Sequence, residues 1–143
     1  IISSIKIKAT FINKDEKENL ITNSSRAMLN FGHTFGHALE LMNNYNKKLN
    51  HGEAVSIGMA FATKISYKMN LINDKDYLDL INHLKKVGLP YYDKKIHTNK
   101  IYKLMIMDKK NTNNKINLIL LKKIGQAYFA RGLSPKNIKN LLS

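Results

Sequence analysis

Three of the five histidines of this 143-residue chain fall in two short segments. His33 and His37 lie in Leu-Asn-Phe-Gly-His-Thr-Phe-Gly-His-Ala-Leu-Glu, residues 29–40, and His51 opens His-Gly-Glu-Ala-Val-Ser-Ile-Gly-Met, residues 51–59. Neutral imidazole is the commonest metal ligand and also a proton shuttle near neutral pH, so three converging imidazoles could hold a divalent ion and move protons beside it. On a helix, positions four apart share a face, which sends His33 and His37 the same way, one turn apart. A pair at that spacing is more often a satisfied couple on a half-buried face. A third histidine at the start of a second Gly- and Ala-rich helix weighs against that. The chain has no cysteine, so a metal here must use nitrogen and oxygen ligands. Two imidazoles do not complete a catalytic zinc site, which takes three protein ligands and an open position; a further ligand, a carboxylate by its chemistry, is required. Glu53, two residues from His51, is expected to cap its helix or orient a histidine rather than share the ion.

Arg26 and Asn30 fall seven and three residues before His33, on much the same helical face. Arg26 offers a planar fork suited to carboxylate or phosphate, and the alignment lifts it above an ordinary solvated arginine. Gly32 and Gly36 repeat at the interval of the histidines. Glycine weakens a helix interior by about 0.5–1 kcal/mol against alanine, so two of them here imply that something approaches this backbone closely.

Helices must carry these residues. One is expected over residues 26–43, with His33 in its middle, Ser24 or Ser25 as its cap and an Asn-rich turn as its end. A second begins at His51 or Gly52 and runs to about residue 70; the short connection makes the two antiparallel neighbours. Its small residues Ala54, Gly58, Ala60 and Ala62 allow close packing. A third opens at Asn73-Asp74 and closes at Lys85-Lys86 and Gly88, with Pro90 beyond. Thr98 can cap a fourth, running to about Met107. A polar loop follows, then a β-branched, apolar strand over residues 116–122, a turn at Gly125, and a terminal helix from Ser134-Pro135 to Leu142. Residues 3–12 are ambiguous between strand and helix, and Asp15-Glu16-Lys17-Glu18 reads as a solvated helix turn. The fold class is mainly α with a short strand pair, in a single domain over residues 1–143.

Hydrophobic residues make up 43% of the chain, enough for a globular interior. No apolar run reaches the roughly 18–20 residues of a membrane span, and the start lacks the order of a signal peptide, so a cytoplasmic location is expected. The chain lacks an initiator methionine and is expected to begin within a longer protein. Its net charge of +14 could suit a polyanion. The lysines are scattered, though, and no aromatic residues alternate with them, so neither nucleic acid nor a membrane is an expected partner. No strand is followed by Gly-x-Gly-x-x-Gly, so no nucleotide fold is encoded here.

The two histidine segments together resemble those of the 3-dehydroquinate synthases, the second enzymes of the shikimate pathway. Lys8 ahead of Asp15-Glu16-Lys17-Glu18, then Arg26, then Asp108-Lys109-Lys110-Asn111 leading to a strand and Ile124-Gly125, agree with the same family. The resemblance covers nearly all 143 residues, but only the family's C-terminal, mainly helical domain. It implies a phosphate lyase that converts 3-deoxy-D-arabino-heptulosonate 7-phosphate to 3-dehydroquinate by transient oxidation at NAD, loss of phosphate, re-reduction and an intramolecular aldol closure. It implies zinc or cobalt held by His33, His51 and a glutamate from a segment before residue 1, with NAD held mostly by an N-terminal α/β domain outside this chain. His37, Asn30 and Lys8 take catalytic roles by the same resemblance. Arg26, Asn30, His37, Lys109 and Glu18 contact the phosphorylated substrate, with Lys109 preferred to Lys110. The whole enzyme is expected to be a homodimer, and these 143 residues alone to be inactive. The alternatives are a related NAD-dependent sugar-phosphate cyclase and a basic nucleic-acid-binding module.

Overall fold

The computed structural model describes residues 1–17, 25–43, 49–92, 101, 105 and 115–142. In chain order the elements are α1 (Ile2–Lys14), a 3-10 turn (Arg26–Asn30), α2 (His33–Asn43), α3 (His51–Lys68), α4 (Asp74–Lys86), β1 (Ile116–Lys123), β2 (Gln126–Leu133) and α5 (Pro135–Leu142). The mainly helical class with one strand pair is the expected one.

Helix α3 is the element around which the rest packs. Residues 54–58 are all buried, as are Ala60, Ala62, Thr63, Ile65 and Ser66. A helix buried on every side is a core helix, not a surface one. It touches α2, α4, β1 and α5. Phe35 and Leu39 from α2, Ile57 and Ile65 from α3, Ile116, Leu118 and Leu120 from β1, and Ile138 and Leu142 from α5 form one continuous core. A buried hydroxyl ties helix to strand: Ser66 Oγ donates to the Ala62 carbonyl at 2.8 Å and accepts from Leu121 N at 2.9 Å. The start of α3 is fixed by a reciprocal cap. Asn50 Oδ1 accepts from Glu53 N, and Glu53 Oε2 accepts from Asn50 N, each at 2.9 Å.

The later elements follow their local signals. Asn73 caps α4 through Asp76 N at 2.8 Å, and Gly88, at φ +72°, ends it in the left-handed conformation. β1 and β2 pair antiparallel, Leu120 opposite Tyr128, across a tight turn in which Gly125 sits at φ +81°. Ser134 Oγ accepts from Asn137 N at the start of α5. Of the expected fourth helix, Ile101 and Met105 are helical and buried; the rest, with Thr98 and residues 108–111, lies outside the described residues.

One ambiguity is resolved and two expectations are corrected. Residues 3–12 are helical, within α1, and none of that helix is buried. The single helix over 26–43 is two pieces. Ser25 caps the 3-10 turn through Ala27 N at 3.1 Å, the chain then bends at Phe31-Gly32, and α2 starts at His33, which is therefore in a first turn and not mid-helix. Gly32 takes φ +82° there, a conformation glycine adopts freely and other residues resist. The second correction is Asp15. It is buried, not solvated, because its Oδ2 accepts from Arg26 N at 3.0 Å and so anchors the 3-10 turn to the end of α1.

Candidate metal and anion site

The glycines show what approaches the histidine segment: α3 itself. A Cβ on Gly58 would overlap the Gly32 carbonyl oxygen and stand 2.9 Å from Gly36 N. A Cβ on Gly36 would meet Val55 Cγ2 at 3.1 Å. Three glycines thus let two antiparallel helices touch backbone to backbone, which brings the side chains at the rim of that seam together.

Those side chains are the three histidines. The ring centres of His33 and His51 are 5.6 Å apart, those of His33 and His37 5.8 Å, and those of His37 and His51 6.3 Å. Two imidazoles on one tetrahedral ion, each at about 2.0–2.1 Å, put their ring centres about 5 Å apart. The His33–His51 pair is the closest of the three to that value. Both rings have Nδ1 engaged: His33 against the Phe31 carbonyl at 3.3 Å, His51 against Glu40 Oε1 at 2.9 Å. Each therefore keeps Nε2 as the nitrogen that can face an ion. His37 is exposed and makes no hydrogen bond among the described residues. Burial lowers the His33 pKa below its ordinary 6.5, against a smaller raising effect from the Phe31 carbonyl, so this imidazole is neutral at neutral pH. Among the described residues, no three His, Asp or Glu side chains form a closed ligand set.

His33 also lines a cavity of about 580 Å³, together with Lys8, Arg26 and Asn30 and with Ser4, Ile7 and Leu29. That volume suits a small ligand. Lys8 comes from α1 and Arg26 from the 3-10 turn, so the Asp15 anchor joins the two elements that supply the cations. The Arg26 guanidinium donates to the Glu16 carbonyl at 3.2 Å.

Of the residues singled out from sequence, Lys8, Arg26, Asn30 and His33 come together around the cavity, and His37 and His51 meet His33 at its edge. Glu18, Lys109 and Lys110 lie outside the described residues. Glu53 caps α3 and does not orient a histidine. The carboxylate that does contact one is Glu40, which the sequence reading passed over. Positions 33, 37 and 40 share one helical face, which puts Glu40 beside the histidines but does not name its partner on α3.

The architecture is that of the sugar-phosphate cyclases built like dehydroquinate synthase. A solved 2-deoxy-scyllo-inosose synthase, complexed with carbaglucose-6-phosphate, NAD+ and Co2+, superposes with a TM-score of 0.69 at 28% identity, covering 82% of this chain and 33% of that one. A 2-epi-5-epi-valiolone synthase from Streptomyces hygroscopicus, with NAD+ and Zn2+ bound, shares the fold at a TM-score of 0.68 and 22% identity, covering 80% of this chain and 31% of that one. Residues 1–111 match the family model described as 3-dehydroquinate synthase C-terminal, and the chain belongs to that family. The 3-dehydroquinate synthase of Helicobacter pylori (strain G27) is 41% identical over 136 residues, 95% of this chain and 38% of that protein. That of Agrobacterium fabrum is 40% identical over 149 residues, the whole of this chain and 38% of that protein. The chain thus spans less than two-fifths of the length of these curated relatives. No helix among the described residues is long and apolar enough to cross a membrane.

Proposed function

We propose that residues 1–143 form the metal- and substrate-binding domain of a 3-dehydroquinate synthase, which converts 3-deoxy-D-arabino-heptulosonate 7-phosphate to 3-dehydroquinate and phosphate. The observation that carries this reading is the meeting of His33, His37 and His51 at the edge of a cavity lined by Lys8, Arg26 and Asn30. A divalent metal suits His33 and His51: two imidazoles from adjacent helices, each with Nδ1 engaged, and one kept neutral by burial, as a ligand must be. The third ligand, a glutamate, and the domain that holds NAD belong to the rest of the enzyme. Their assignment rests on family membership, as do a cytoplasmic homodimer and the single-domain reading of this chain. The metal would supply Lewis-acid polarisation of substrate oxygens, and NAD reversible hydride uptake.

The chain's own residues bind and move protons. Lys8 and Arg26 grip the phosphate and carboxylate of the substrate by charge-assisted hydrogen bonds. Their positive charge also stabilises the negative charge that builds on the phosphate oxygens as the C–O bond breaks. Asn30, with a donor and an acceptor on one amide, orients substrate hydroxyls. His37, outside the ligand pair and open to solvent, takes and returns protons. Lys109 and Glu18 complete the substrate contacts in this reading.

A second reading, another NAD-dependent sugar-phosphate cyclase, is favoured by the likeness to 2-deoxy-scyllo-inosose synthase at 28% identity. The curated relatives at 40–41% identity are 3-dehydroquinate synthases, which weighs toward the first. Phosphate release by the full-length enzyme from the heptulosonate phosphate, set against other sugar phosphates, separates the two. In the same enzyme, His33→Ala and His51→Ala are each expected to abolish zinc retention, and His37→Ala to keep the metal and lose rate. Identical behaviour of all three variants refutes the division of roles. Phosphate release by residues 1–143 alone refutes their dependence on the remainder.

A further inference from the structure

Glu40 takes no part in the roles above, yet its carboxylate contacts the His51 ring. It stands on α2, on the face that carries His33 and His37, and its Oε1 is 2.9 Å from His51 Nδ1. The contact is poorly explained as a stabiliser of the helix pair. The His51 side chain is 58% exposed and that of Glu40 33%, and an exposed pair of this kind contributes little to stability. Glu53, much nearer in sequence, is not available for the task because its carboxylate closes the α3 cap. A neutral imidazole carries one proton on one of two nitrogens, and an acceptor at Nδ1 decides which. With Glu40 accepting there, the His51 proton stays on Nδ1, the ring is held in direction, and Nε2 keeps its lone pair. His33 receives the same treatment from the Phe31 carbonyl. His37 has no such acceptor among the described residues.

We propose that Glu40 is a positioning residue: it fixes the tautomer and ring direction of His51 so that Nε2 faces a divalent cation shared with His33. This rests on the metal reading above, and it accounts for why two of three clustered imidazoles act as ligands and the third does not.

The test uses the full-length enzyme stripped of metal, with Co2+ alone as the probe, read by chelator competition and by the visible absorption of the bound ion. Glu40→Ala and Glu40→Leu both remove the acceptor while keeping a good helix former. Each is expected to weaken Co2+ binding about 10–100-fold and to alter its absorption. Glu40→Gln keeps an oxygen acceptor and is expected to restore affinity toward the wild-type value. A purely structural role predicts the reverse pattern, a lower metal-free melting temperature with unchanged Co2+ affinity and absorption, and that result overturns the proposal. Binding by both acceptor-free variants within about twofold of wild type overturns it equally. Failure of the wild-type enzyme to retain Co2+, or undiminished retention by His33→Ala and His51→Ala, overturns the metal reading itself.

Discussion

Substituting Gly58 by alanine tests whether the histidine site depends on backbone contact between α2 and α3. A Cβ at Gly58 would overlap the Gly32 carbonyl oxygen and lie 2.9 Å from Gly36 N and 3.0 Å from Gly32 C. A relaxed carbon–oxygen contact needs about 3.3 Å, and the atoms it meets are backbone, so none can swing aside. The two helices must separate by about an ångström. Overpacking of a close-packed site costs about 1–3 kcal/mol, and a rigid backbone obstacle places this one at the upper end. Alanine recovers about 1 kcal/mol of helix propensity against glycine, which leaves a net loss of about 2 kcal/mol. At about 2 °C per kcal/mol, the low end suited to the longer full-length enzyme, the melting temperature is expected to fall by about 4 °C. The same separation carries His33 and His37 away from His51, and a misplacement of about 1 Å can cost up to about a hundredfold in rate. Gly36→Ala is the control. Its Cβ meets Val55 Cγ2 at 3.1 Å and Val55 Cα at 3.2 Å, a matter of a few tenths of an ångström, which the propensity gain largely offsets. The assay is thermal unfolding of the full-length enzyme with and without Zn2+, together with bound-metal content. A Gly58→Ala enzyme that melts within about 1 °C of wild type and keeps its metal, or a Gly36→Ala enzyme that suffers more, refutes the backbone-contact argument.

Two further outcomes follow from groups that bear on the site. His33 is expected to titrate, in the metal-free enzyme, with a midpoint below 6.5, read from its ring proton shift by NMR. The sign is fixed by burial. Between the lowered folded value and 6.5 the unfolded chain binds more protons, so stability rises with pH through that window and is lost as pH falls through it. His33→Asn should flatten that slope, and an unchanged slope counts against the burial argument. Asp15→Ala leaves the Arg26 N–H without the carboxylate that accepts it and is expected to cost about 1–3 kcal/mol in denaturant unfolding. Because the anchored turn presents Arg26 to the cavity, the substrate KM should rise while metal content stays at the wild-type level. An unchanged KM separates the anchor from the site.

What could be read from the sequence divides along the range of the forces involved. The caps at Asn73 and Ser134, the left-handed glycines at 88 and 125 and the β-branched, apolar run from residue 116 act within a few residues, and each element they bound lies within a residue or two of its expected limits. The break at Phe31-Gly32 was illegible as a boundary because residues 26–43 carry no proline and no strong local stop. The helix yields there because α3 presses against Gly32 from 23 residues downstream, with Met59 N and the Val55 carbonyl both within 3 Å of where a Cβ would stand. Asp15 and Glu40 went unread for the same reason. Their partners, Arg26 N and His51 Nδ1, lie 11 residues away on another element, and no periodicity encodes that contact. The meeting of the three histidines was legible because helical spacing puts His33 and His37 on one face and a second helix starting at His51 packs against it. The glycines join the two kinds of information. Gly32 and Gly36 looked like a helix-weakening oddity in one segment, and Gly58 like a small residue in another. Packed against each other they are one feature, a seam close enough for imidazoles on separate helices to meet. A substitution there should disable the chemistry without touching any residue that performs it.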